Sequence, residues 1–231
     1  MRPKRIFLLW LQGWANAPPG MRACLESWRR RNPDHEVHAL DARTLQDWVD
    51  WGPLHDRIGH LRVSRAGFSD MVRLALLAQH GGVWADATTY CRVPLRYWLP
   101  DSGFYAFDAR HPRRRVSSWF LAGEPNDLVT ERWHGAMLWY WMHRGRARSY
   151  YWVHGLFANK CRQDPEFAAA WETLAPMTNH EPHLFHRRGF GGPVDHEITD
   201  HVFNMRSPLH KLTHRRPLHR LPRTRYLFNH A

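Results

Sequence analysis

Cysteine is scarce in this chain, and long apolar runs are missing. Cys24, Cys91 and Cys161 form an odd set with no metal-like spacing. That excludes a disulfide framework or a zinc module and points to reduced thiols in a cytosolic protein. The 18 histidines are scattered, with no HExxH and no Cys/His cluster, so the usual metallohydrolase signatures are absent. No stretch approaches the roughly 18 apolar residues of a membrane-spanning helix; contact with a membrane would be made from its surface. Internal repeats and a convincing linker are also lacking. Acidic residues are few: 21 Asp and Glu against 33 Lys and Arg give a formal charge of +12. Such a surplus attracts polyanions, acidic membrane surfaces and diphosphates alike, and by itself chooses none of them.

Apolar and aromatic residues are plentiful. With 13 Trp, 11 Phe and 7 Tyr in 231 residues, the chain can bury roughly 70% of its unfolded surface as one domain. Its opening imitates a leader peptide, with basic Met1 to Arg5, apolar Ile6 to Leu11 and small Ala15-Asn16-Ala17. Gln12, Gly13 and Trp14 interrupt that pattern, and the competing reading is a buried strand from Arg5 to Trp10. Pro18 and Pro19 then open a helix from Gly20 to Arg31, which Asn32-Pro33 ends. A strand from Glu36 to Leu40 completes a βαβ unit.

The organising stretch follows. Phe68 to His80 carries no Pro or Gly and reads as a helix buried on most sides. Gly81 and Gly82 stop it, since glycine takes a left-handed cap without strain. Val83 to Ala85 is a short buried strand, and Asp86 stands at its carboxyl end, the edge where open α/β sheets bind ligands. Strands are expected at Phe104 to Phe107 and Ser117 to Leu121. Helices are expected from Glu124 to His143, Tyr150 to Cys161 and Asp164 to Leu174, with their aromatic stripes as core. Arg113-Arg114-Arg115 reads as an exposed loop, with contact to an anion as the alternative. The tail from Pro176, rich in Pro, Gly, His and Arg, has the composition of an active-site loop or a flexible end.

Ser69-Asp70, Arg73, Gly81-Gly82, Trp84 and Asp86-Ala87-Thr88 resemble the SD..R…GG.W.DAT pattern of the capsular polysaccharide synthesis family. The likeness continues through Trp10-Leu11-Gln12-Gly13, Cys24-Leu25-Glu26-Ser27-Trp28, Ser117-Ser118-Trp119-Phe120 and Ser207 to Thr213, in order along nearly the whole chain. The family belongs to the DxD-type sugar transferases, related to initiating α-mannosyltransferases and glucosylating toxins. The resemblance implies a single GT-A-like domain over residues 1–231, an α/β fold with a mixed, mostly parallel sheet flanked by helices. Its nucleotide-sugar half would be 1–122 and its helical acceptor half 123–231.

By that resemblance, Asp86 contacts the ribose and a bound Mn²⁺ or Mg²⁺ ion. Thr88 replaces the second carboxylate of the motif. A hard divalent ion prefers carboxylate oxygens, so two outcomes stay open: a loosely held ion, or protein cations in its place. Lys211 with His210 is the candidate for the cationic role, against the plainer reading of an exposed basic pair. Trp10 would stack on the nucleotide base or serve as a core residue. Asp70 and Arg73 would meet donor hydroxyls and phosphate, or form an ordinary i,i+3 pair. Gly81, Gly82, Thr88, Ser118 and Trp119 complete the expected substrate contacts, with Glu124, His154, His183 and Asp195 behind them. The implied reaction is hexosyl transfer, with retention, from a UDP- or GDP-sugar to a glycan or lipid-linked glycan acceptor. The place would be the cytoplasm or the inner face of the membrane. A basic nucleic-acid-binding protein is the rival, though no nucleic-acid motif supports it. A degenerate transferase that binds without turnover is the third reading.

Overall fold

A computed structural model describes residues 2–174 and 176–230. Met1, with which the leader-like stretch begins, Ala175 and Ala231 lie outside the described residues. The chain is α/β, with a central five-stranded sheet that is mixed and mostly parallel. In chain order its strands are β1 (Arg5–Leu9), β2 (Glu36–Leu40), β3 (Gly82–Ala85), β5 (Tyr105–Asp108) and β6 (Val116–Gly123), arranged β2-β1-β3-β6-β5. A separate two-stranded ribbon joins β4 (Thr89–Cys91) to β7 (Leu209–Lys211).

Two compact units share the sequence. One takes the residues up to Pro3, Arg43–Trp84 and Asp101–Thr178; the other takes Lys4–Ala42, Ala85–Pro100 and Asn179–Ala231. The stretches interleave, so neither unit coincides with the sequential halves 1–122 and 123–231.

In the second unit, β1 pairs in parallel with β2 from Arg5↔Glu36 to Leu9↔Leu40. Parallel neighbours need a crossover, and α1 (Pro19–Arg31) supplies it, with Pro at its first position. The expected βαβ unit is present. The tail differs from the loop expected of it. It folds into α6 (Leu184–Arg188), α7 (His196–Phe203), β7 and α8 (Pro222–His230). These pack Leu184, Phe185, Ile198 and Leu227 with Met21 and Tyr90 in one apolar cluster. Buried Arg223 ties the irregular segment together. Its guanidinium donates to Pro193 O at 2.8 Å, Gly189 O at 3.1 Å and Asp195 Oδ2 at 2.9 Å. Five fixed donors on one side chain satisfy carbonyls that no regular ladder would. Asp195 also accepts from the Ile198 amide at 3.0 Å as the cap of α7.

In the first unit, α2 (Arg65–His80) starts on Ser64, whose Oγ accepts from Gly67 N at 3.1 Å, and stops at Gly81 with φ 62°. A Cβ on Gly81 would lie 2.5 Å from Pro125 Cδ, so sterics and dihedral both require glycine there. The glycine stop reads correctly from sequence; the helix begins three residues earlier than expected. β5 and β6 are antiparallel, with an irregularity between Ala106 and Phe107. The helices α3 (Leu128–Met142), α4 (Trp152–Gln163) and α5 (Pro165–Thr173) bury most of the aromatic stripe, but Trp139, expected in the core, faces out with 59% of its surface exposed. Phe157 meets Trp133 at 4.8 Å and Phe167 and Trp171 at 5.0 Å each. Edge-on contacts of this kind add to the area term.

Candidate active site

The ribbon of β4 and β7 rests on α1. The Trp28 indole N–H donates to Thr89 O at 2.8 Å, Ser27 Oγ accepts from Cys91 N at 2.8 Å, and Asn32 Oδ1 accepts from Leu95 N at 2.8 Å. Two side chains of α1 thus satisfy the backbone of a strand too short to hold itself, and the residue that caps the helix holds the chain just beyond it. On the other side β7 pairs antiparallel, Thr89↔Lys211 and Tyr90↔His210. Thr89 N donates to Asp86 O at 2.8 Å and closes the turn after β3; Leu212 N donates to Thr88 O at 2.7 Å. The backbone on both sides of Thr88 is therefore fixed.

This register brings three sequence-predicted residues together. The Lys211 ammonium donates to Asp86 Oδ2 and to Thr88 Oγ1, both at 2.6 Å. The two charged side chains keep 14% and 24% of their surface exposed, enough to meet a ligand and too little to be a freely solvated pair. Charge-assisted bonds of this length are the strong kind. Thr88, the departure from the two-carboxylate motif, leaves one negative and one positive charge at the centre.

The residues present do not fit a divalent ion. Such an ion wants several hard oxygens, carboxylates first. Here one carboxylate is available and an ammonium sits on it. Among the described residues no group of three His, Cys, Asp or Glu side chains could hold a metal.

The surrounding imidazoles leave the positive charge to Lys211. His183 is lowered to about 4, mainly by burial and further by the charges of His186 and Lys211. Its Nδ1 lies 2.7 Å from Asn179 O. His186 and His214 are lowered by burial too, with Lys211 contributing to both. His210 corrects an expectation. It is fully buried, neither ring nitrogen has a partner among the described residues, and burial holds its pKa well below the ordinary value. Successive strand residues face opposite ways, so His210 turns into the core against Phe185, at 5.3 Å, and is a neutral ring. Two of the three cysteines, Cys24 and Cys91, are buried, and burial pushes the Cys91 thiol up to about 12.

Trp10 directly follows β1. Its ring meets His214 edge-on at 5.9 Å, and its buried indole nitrogen has no hydrogen-bond partner among the described residues. His214 also borders a cavity of about 300 Å³, lined by Pro18, Pro19, Arg215, Arg216 and their neighbours.

Most of the other predicted residues lie in the first unit, where Asp70, Arg73 and Ser118 form a second cluster. Arg73 pairs with Asp70 at 2.9 Å and donates to Ser118 O at 2.7 Å and Ser118 Oγ at 2.6 Å. Its guanidinium lies over the Trp84 ring at 5.3 Å. Both charged groups are buried, their side chains 5% and 11% exposed. Trp119 stacks on Phe107 at 4.9 Å. Gly81 and Gly82 act through backbone, with φ of 62° and 100°. Glu124 accepts from Gly103 N at 3.3 Å, and His154 meets the Tyr151 ring at 5.6 Å. The supports that sequence reasoning missed are Ser27 and Asn32. Ser27 lay inside a quoted motif, and Asn32 read only as a helix stop.

A family model described as capsular polysaccharide synthesis protein matches residues 1–230. The chain belongs to that family. It is also similar to the O-glycosyltransferase braB of Annulohypoxylon truncatum, 30% identical over 97 residues, which are 38% of this chain and 23% of that protein. The match therefore spans less than a quarter of the length of that curated relative. Among solved structures, the PaToxG glycosyltransferase is similar with a TM-score of 0.47 and 10% identity, over 75% of this chain and 73% of the other.

Proposed function

We propose that this member of the capsular polysaccharide synthesis family is a glycosyltransferase that moves a hexose from a UDP- or GDP-sugar to a capsule- or lipopolysaccharide-type glycan acceptor, free or lipid-linked. The carrying observation is the Lys211 ammonium, held by Asp86 and Thr88 at the carboxyl end of β3. A lysine is a compact point charge suited to phosphate. Two fixed acceptors orient it before any ligand arrives, so little reorganisation is left for the reaction.

In the reaction, the bond from the anomeric carbon to the diphosphate oxygen breaks and the bond to the acceptor oxygen forms. The family resemblance assigns attack on the same face, with retention. The proton of the acceptor hydroxyl passes to the departing diphosphate oxygen. Lys211 offsets the charge that builds on that leaving group, and Asp86 holds the ammonium and accepts from a donor hydroxyl. No step runs through a metal. Trp10 stacks on the base: its place directly after β1 and the recess bordered by His214, whose ring it meets, support that role. For Asp70, Arg73, Ser118 and Trp119 a donor or acceptor role is carried by the family pattern alone.

The test is release of UDP or GDP from a panel of nucleotide hexoses, with and without EDTA, by the parent and by Asp86→Ala. Removing an oriented electrostatic group costs about 100-fold or more in turnover. An unchanged rate in the variant removes Asp86 from the site; no release from any donor by the parent removes the transferase reading.

A further inference from the structure

The first unit carries a surface that donor chemistry does not explain. It lies where α3 ends and the chain turns into α4. Most aromatics there are buried: Trp133 and Trp141 at 0% and Tyr140 at 7% exposure. Trp139, Met142, Tyr150 and Tyr151 are 59%, 42%, 66% and 45% exposed. Trp139 and Met142 share a helix face at i,i+3, and Tyr150 meets Tyr151 at 5.0 Å. Two exposed pairs of large apolar groups this close along the chain mark an interaction surface.

Along this stretch of chain the charge is of one sign. Six arginines and lysines and no Asp or Glu lie between Arg132 and Gln163. Arg132 and Lys160 are paired to Asp164. Arg144, Arg146 and Arg148, inside the turn between the exposed aromatics, have no acidic partner among the described residues. Arg144 lies over the Tyr140 ring at 5.2 Å and Arg114 over Tyr151 at 4.5 Å.

We infer that this surface docks on a bilayer rich in anionic phospholipid. Trp and Tyr settle at the headgroup level, where the ring is in apolar surroundings and its polar edge is wet. Arginines around them meet the negative headgroups, and the two terms together hold a peripheral protein. Single-stranded nucleic acid would need open ring faces for stacking. Here His143 covers one face of Trp139 at 4.6 Å, and Arg114 covers one face of Tyr151. The inference does not depend on the transferase reading, because it rests on exposure and charge within the first unit alone.

Sedimentation with vesicles of phosphatidylcholine alone, and of phosphatidylcholine mixed with phosphatidylglycerol, tests it. The chain should sediment with the mixed vesicles only, and salt should release it. Arg146→Gln with Arg148→Gln should weaken partitioning roughly thirtyfold. Trp139→Ser with Tyr150→Ser, both at exposed sites, should weaken it about tenfold, with circular dichroism and UDP or GDP release as in the parent. Equal binding to both vesicles, or binding that neither variant weakens, overturns the assignment. So does a chain that ignores vesicles and instead uses these residues to retain single-stranded nucleic acid or to pair with a second copy.

Discussion

Asp70–Arg73 and Asp86–Lys211 are two opposite-charge pairs of similar length, 2.9 and 2.6 Å, made by different means. The first is three residues apart on one helix and needs only α2 to form. The second joins residues 125 apart and exists because β7 returns to pair with β4. The first is sealed against Ser118 and Trp84; the second keeps surface for a ligand. Burial decides what each pair costs to disturb. A sealed pair is coupled to folding, whereas a half-open pair can be altered while the chain stays folded.

Arg73→Ala should cause the largest loss. It strands the Asp70 carboxylate in the interior and should cost about 3–5 kcal/mol of stability, read in urea unfolding; a midpoint equal to the parent's would erase the distinction between the pairs. Lys211→Ala should lower turnover by about 100- to 1,000-fold while the unfolding midpoint moves far less than in Arg73→Ala.

A pH series sharpens the comparison with one histidine in each unit. Burial lowers His134 and His183 to about 4, against an ordinary 6.5. Between those values the unfolded chain binds more protons than the folded one. Stability is therefore full above about pH 6.5 and falls as pH drops towards 4, by on the order of 1–3 kcal/mol for each ring. Flat stability across that window would place both rings in water. The smallest effect concerns metal. Millimolar Mn²⁺ should leave the parent's melting temperature unchanged and should stabilise Thr88→Asp by on the order of 1 kcal/mol; stabilisation of the parent would show that Asp86 binds the ion despite Lys211.

What the sequence makes legible follows the length and punctuation of each element. β1, α1 and β2, the Gly81 stop and the strand before Asp86 all announce themselves by periodicity, prolines or glycines. β4 and β7 are three residues each and have no period to read. β4 is held by Ser27 and Trp28 in a helix far off in sequence, and Asn32 at the end of that helix holds Leu95 just beyond it. The tail looked loop-like because its order comes from Arg223 and from short helices, one of them capped by Asp195, rather than from long periodic runs. His210 and Lys211 read as one basic pair, since nothing in a three-residue strand says which neighbour faces inward. The nearness of Lys211 to Asp86 came from the family pattern; no local signal carries it.

The most direct measurement is donor turnover by Asp86→Asn, which keeps the shape and an acceptor oxygen while removing the charge that holds Lys211. The account predicts a rate lower by about 100-fold in a chain that melts close to the parent. Parent-like release of UDP or GDP by that variant would contradict it.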